Sequence, residues 1–82
     1  MNPRPISVKP LDDYKLLITF HNNERKIFDT KPLQDLSLYR KLKNKGYFAT
    51  VKADGMCVFW DDEVDICPDI LYDDSVIVED AI

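Results

Sequence analysis

The stretch KADGMCVFWDDEVDICPDILY, residues 52–72, alternates apolar and polar side chains for most of its length. A period of two is the signature of an extended strand with one buried face, so the segment commits the chain to antiparallel sheet. Asp54-Gly55 is a two-residue hairpin signal, because both central positions of a type I′ turn need φ > 0. That turn pairs Ala53 with Met56, Val51 with Val58 and Ala49 with Trp60 on one face. A three-residue loop at Asp61-Asp62-Glu63 then pairs Trp60 with Val64 and Val58 with Ile66, and the same face stays apolar. On the other face Cys57 stands opposite Cys67. Such neighbours rarely hold good disulfide geometry, and both are read as small, half-buried hydrophobes with reduced thiols.

The first half carries the same period. ISVKP and LLITF flank the short turn LDDYK, and pairing Ile6 with Phe20, Val8 with Ile18 and Pro10 with Leu16 collects six apolar residues on one face. HNNE supplies the next turn, since Asn tolerates φ > 0, and this pairs Ile18 with Ile27 and Leu17 with Phe28 on opposite faces. DTKPLQDLSLYRKLKNKG breaks the alternation. Pro32 suits a first helical turn, Ser37 an N-cap for a helix over 38–45, and Gly46 the residue that ends it. Leu38, Tyr39 and Leu42 form its inward side, while Arg40, Lys41, Lys43 and Lys45 complement the dipole near its C-terminus. Pro68 fits the first position of another short helix, with Leu71 and Tyr72 folding back on the core.

These patterns predict an α+β fold: an antiparallel meander sheet of five to six strands with one or two short helices packed on one face. The strands fall near 5–11, 15–20, 25–29, 48–53 and 56–60, with a short sixth near 64–67. The expected core is Ile6, Val8, Ile18, Ile27, Leu38, Leu42, Val51, Val58, Trp60, Ile66 and Leu71. Residues 1–82 make a single domain with its core over about 5–73. The end, DSVIVEDAI, is apolar and acidic, and its Val76-Ile77-Val78 run suits an extra strand or a dimer arm.

Charge is divided unevenly along the chain. Residues 1–53 hold all eleven Lys and Arg against five acids, net +6, whereas residues 54–82 hold ten acids and no base, net −10. Such a split suits a charged partner unless the halves neutralise each other across the sheet. The start, MNPRPISVKP, has no apolar core of a signal peptide, and no apolar run approaches the ~18 residues that span a bilayer. The expectation is a cytoplasmic protein without a membrane role.

Chemistry is hard to build from these residues. His21, the single histidine, falls in a predicted turn, and two glycines cannot make a phosphate-cradling loop. Cys57 and Cys67 stand ten apart, without the close pairs of a zinc site, and Asp61, Asp62, Glu63 and Asp65 lack the spacing of a calcium loop. No catalytic residue, metal site or cofactor is therefore expected, and the chain is read as a non-enzymatic interaction module. Leu17, Phe28 and Phe59 fall opposite the core and, with Val76, Ile77 and Val78, form the candidate interface for a protein partner or a homodimer. The candidate charged partner surface combines Arg40, Lys41, Lys43 and Lys45 with Asp61, Asp62, Glu63 and Asp65. The alternative is a nucleic-acid-linked regulator, or an antitoxin-like acidic partner that masks a basic protein. A sequence pI near 4.7 leaves direct nucleic-acid contact weak or indirect.

ISVKPLDDYKLLITF, FDTKPL, YFATVKADGMCVFW and DICPDILY together resemble a small bacterial family of unknown function, DUF2442. The resemblance covers about residues 5–73, and DICPDILY after the strand ending in Trp60 is its most specific part. It implies a compact α+β domain and brings no established activity and no catalytic residues. Relatives encoded beside another small protein, or fused to a helix-turn-helix, imply partner-binding or regulatory work. This chain departs from the pattern at Asp61-Asp62-Glu63, where the family is richer in Asn and Gly, and in the tail after Tyr72.

Overall fold

The computed structural model describes residues 2–61 and 64–78. Strands β1 (Pro5–Pro10) and β2 (Lys15–Phe20) pair antiparallel, with Val8 opposite Ile18 and Pro10 opposite Leu16 as the alternation predicts. A bulge between Pro5 and Ser7 then places Pro5, not Ile6, opposite Phe20. Pro5 is fully buried and the extra residue, Ile6, turns outward at 48% exposure. Ile6 therefore leaves the expected core.

Strand β3 (Arg25–Asp29) follows a loop one residue different from the expected one. Asn23 adopts φ 71°, its N–H donates to the Phe20 carbonyl at 2.9 Å, and the Phe20 N–H donates to the Glu24 carbonyl at 2.8 Å. This is a three-residue loop closed by a left-handed residue. It pairs Leu16 with Phe28, Leu17 with Ile27 and Ile18 with Lys26. A slip of one residue exchanges the faces of a strand. Phe28 consequently enters the core at 2% exposure, and Ile27 joins Leu17 on the outer face.

The single meander of five to six strands is replaced by two sheets. One has the order β1-β2-β3-β7, where β7 (Val76–Ile77) pairs antiparallel with β3. The other joins β4 (Lys52–Ala53), β5 (Val58–Phe59) and β6 (Asp65–Ile66) in sequence order. With the edge of β3 occupied by β7, β4 lies beside β1 instead. The β4–β5 turn is two residues longer than a type I′ hairpin: Ala53 faces Val58, and the Asp54 side chain accepts the Met56 and Cys57 N–H groups at 2.8 Å each. Gly55 supplies the positive φ, 84°. A shift of two preserves the side-chain faces, so Val51, Val58 and Trp60 stay buried while Met56 is exposed. Val58 faces Ile66, as expected.

The expected helix over 38–45 is instead a 3₁₀ segment, Ser37–Lys43, followed by the one-turn helix α1 (Lys45–Phe48). Asn44 caps α1 by accepting the Tyr47 N–H at 3.0 Å, so Gly46 lies inside a helix rather than ending one. With three residues per turn, Tyr39 and Leu42 stack on the inner side and Leu38 falls off that line. Leu42 is fully buried and Leu38 is 52% exposed, a third loss from the expected core after Ile6 and Ile27. Helix α2 (Pro68–Asp73) starts at its proline and buries Leu71. Both sheets and all these segments meet in one core, where Phe48 and Val64 join the expected residues and the Trp60 Nε1–H donates to the Phe48 carbonyl at 3.0 Å.

The altered register is measurable. Phe28→Ala should lower the unfolding free energy by ~3–5 kcal/mol, whereas Ile6→Ala should change it by less than ~0.5 kcal/mol. Urea melts giving the opposite ranking would restore the sequence-predicted pairing.

Candidate functional site

The outer face of the four-stranded sheet carries an apolar row. Leu17 pairs with Ile27 and Ile27 with Val76, so three apolar side chains follow one another across β2, β3 and β7, with Lys9 at the β1 end. The neighbouring rows are charged or polar: Lys15 faces Asp29 on one side and Thr19 faces Arg25 on the other. Leu17 and Ile27 are half-buried and Val76 is 71% exposed. Val78 extends the pairing by donating its N–H to the Arg25 carbonyl at 3.0 Å. A recess of ≈ 380 Å³ beside β7 is lined by Lys15, Ile27, Asp29, Asp74 and residues 76–78.

The structure thus regroups the expected interface. Leu17, Val76 and Val78 are brought together; Ile77 is exposed but pairs with Lys26, on the opposite side from Val76. Phe28 is lost to the core. Phe59 is half-buried in the other sheet, between Lys52 and Asp65. Ile27 is the residue that sequence reasoning missed, and the signal was Asn23: a left-handed residue at the third loop position fixes the register that turns Ile27 outward.

The sequence-predicted charged surface is also divided. Arg40, Lys41 and Lys43 are exposed on the 3₁₀ segment and Lys45 begins α1. Asp61 leans back on this segment, accepting the Tyr47 hydroxyl at 2.6 Å, with the Lys41 ammonium 4.0 Å away. Its other oxygen accepts the Val64 N–H at 3.0 Å, which pins the β5–β6 loop. Asp65 is exposed on β6, and Asp62 and Glu63 lie outside the described residues. His21 sits exposed in the β2–β3 loop. Among the described residues, no three His, Cys, Asp or Glu side chains converge as a metal site, and no helix is long and apolar enough to cross a membrane.

Two side-chain clusters hold these surfaces in place. Lys26 is 7% exposed on the core side of β3, where its Nζ donates to the Tyr72 carbonyl at 2.5 Å and lies 3.8 Å from the centre of the Tyr72 ring. Tyr72 packs edge-on against Phe20 and donates its hydroxyl to Glu24. That hydrogen bond holds the Glu24 carboxyl below its ordinary range, with help from Asn22, and raises the Tyr72 phenol. The second cluster supports the β1–β2 turn, where Asp13 and Tyr14 both take left-handed φ, 64° and 60°. Lys31 donates to the Asp13 carboxylate at 2.7 Å and lowers its pKa, while the Thr30 N–H and hydroxyl both donate to the Tyr14 carbonyl. The turn borders a cleft of ≈ 500 Å³ whose far wall is Lys45, Phe48 and Ala49.

A protein-family model described as "Protein of unknown function (DUF2442)" matches residues 5–76. The chain belongs to the DUF2442 family. No curated protein and no solved structure matches it. The DUF2442 match runs from the first residue of β1 to the first of β7, so it includes the three-stranded sheet, β1 to β3, the apolar row and both supporting clusters.

The Glu24–Tyr72 pair makes stability depend on pH with a definite sign. Glu24 is lowered from 4.5 on folding, so its contribution is complete above that value and is lost as pH falls through the lower folded value. Tyr72 is raised from 10.0, so its contribution is complete below that value and is lost as pH climbs through the folded one. Urea midpoints measured from neutral to acid pH should therefore fall less steeply for Glu24→Gln than for the parent chain. Parallel acid limbs would show that the pair carries no such linkage.

Proposed function

We propose that this DUF2442 chain is a non-enzymatic protein-interaction module that docks through the outer face of its four-stranded sheet. The observation that carries this reading is the row Leu17–Ile27–Val76, three apolar side chains aligned across three strands and flanked by charged and polar rows. An apolar centre with a charged rim is the anatomy of a protein docking patch. The edge strand β7 adds Val76 at 71% exposure, so the patch reaches a strand with one unpaired side. Val76 and Ile77 pair with β3, so Val76 stands beside Ile27 on this face. A second copy of the chain and a separate protein partner are both served by this surface, and a partner-binding role is the regulatory work the family resemblance implies.

Light scattering of the purified chain, with a pull-down from its own cells at low and high salt, tests the reading. The expected outcome is a dimer or a stoichiometric partner retained at high salt, because apolar burial is not screened. The double variant Leu17→Glu/Ile27→Glu should weaken that complex at least ~tenfold while keeping the far-ultraviolet circular dichroism of the parent. Binding that vanishes at high salt and ignores the double variant would move the contact to the charged surfaces. A monomer that recovers no partner at either salt would defeat the proposal.

A further inference from the structure

The two cysteines flank the β5–β6 hairpin, Cys57 just before β5 and Cys67 just after β6. Continued one residue past its last pair, Val58 opposite Ile66, the β5–β6 register brings Cys57 and Cys67 to facing positions, and the two thiols are near enough to influence each other electrostatically. The hydrogen-bond pattern specifies what kind of pair this is. The Cys57 N–H donates to the Asp54 side chain at 2.8 Å, and the Cys57 carbonyl accepts the Asp54 N–H at 3.3 Å. Both backbone groups of Cys57 are therefore aimed at the β4 side of the hairpin, away from Cys67. Trp60, three residues on, donates its N–H to Val64 at 2.9 Å, which sets the same alternation from the other end. Cys57 and Cys67 thus fall at a non-hydrogen-bonded cross-strand position, the class in which facing side chains come closest. Facing positions of that class fall within the Cα range a disulfide spans, about 4.4–6.8 Å.

We propose that Cys57 and Cys67 are a reversible thiol–disulfide site that responds to low-molecular-weight disulfides such as oxidised glutathione. Cys67 is exposed and Cys57 is half-buried, so the two sulfurs have different parts. The Cys67 thiolate attacks one sulfur of the small disulfide, which breaks the S–S bond and releases one small thiolate. The Cys57 thiolate then attacks the Cys67 sulfur and expels the second. Two protein thiols are oxidised, the small disulfide takes both electrons, and the two released thiolates take up the two protons. Burial, followed by the negative charges of Asp65 and Asp54, pushes the Cys57 thiol up, which makes it the resolving partner rather than the first attacker. A cross-link with one sulfur exposed is labile rather than a permanent staple. Closing it would tie the β4–β5 turn to the residue that precedes α2, and so to the helix that holds Leu71 and Tyr72.

The test equilibrates the full chain in buffers of increasing oxidised-to-reduced glutathione ratio, quenches with an alkylating maleimide and reads intact mass. The expected product is a monomer lighter by two hydrogens, restored by excess reduced glutathione. Cys57→Ser should accumulate one glutathione on Cys67. Cys67→Ser should react on the order of tenfold more slowly, through Cys57 alone. Wild-type chain that carries two separate glutathiones, forms only intermolecular disulfides, or never loses the two hydrogens would overturn the proposal. Equal rates for the two single variants would overturn the assignment of roles.

Discussion

The left-handed backbone of Asn23 closes the β2–β3 loop at three residues, and the parity of that loop decides which side chains of β3 enter the core. Phe28 goes in and joins Leu16, Ile18 and Phe20. Ile27 goes out beside Leu17. Lys26 goes in as well, and this is a demand the remainder of the fold must meet, because a buried ammonium without partners is severely destabilising. The α2 helix meets it: the Tyr72 carbonyl and ring face accept the cation, and the Tyr72 hydroxyl reaches Glu24 on the far side of the same loop. One loop residue thereby specifies the core face, the outer face and the docking position of a helix far along the chain.

Placement of α2 in turn governs the end of the chain. Leu71 is fully buried and Tyr72 is fastened to β3, so the residues after Asp74 emerge beside the open edge of that strand. Val76 and Ile77 add to it as β7. This intramolecular pairing is favoured because the ends are already adjacent, and closing a short loop costs little entropy. It also explains the split into two sheets: β4 cannot occupy an edge that β7 holds, so it settles against β1, and the core is sealed from the side by the 3₁₀ segment and α1.

The separation of charge along the sequence has a modest structural expression. Asp61 leans toward Lys41 and Tyr47, which links the acidic half to the basic segment at the β5–β6 loop. Asp13 and Asp29 are met by Lys31 within the first half. Exposed ion pairs of this kind contribute little individually and are screened by salt. The apolar row on the sheet is different in kind, since Leu17, Ile27 and Val76 carry no charge for salt to screen.

What could be read from the sequence was local alternation, and what could not was the length of each loop. Alternation identified β1, β2, β3 and the β5–β6 pairing with the buried Val58, Trp60 and Ile66, and Pro68 marked the start of α2, because each depends on neighbours within a few residues. The strand expected over 48–53 shrinks to Lys52–Ala53, since Phe48 belongs to α1. Alternation also survived an error at Asp54-Gly55, where a shift of two leaves every face unchanged. It failed at HNNE, where a shift of one exchanges the faces and put Phe28 on the wrong side. It failed again at Ile6, since a bulge is invisible to a period-two pattern, and at Leu38, where a 3₁₀ segment replaced the 3.6-residue period. The apolar row needed more than any local pattern supplies. Leu17, Ile27 and Val76 align only because a helix from the second half locks onto β3 and delivers the tail to its edge, a long-range contact that the tertiary structure alone decides.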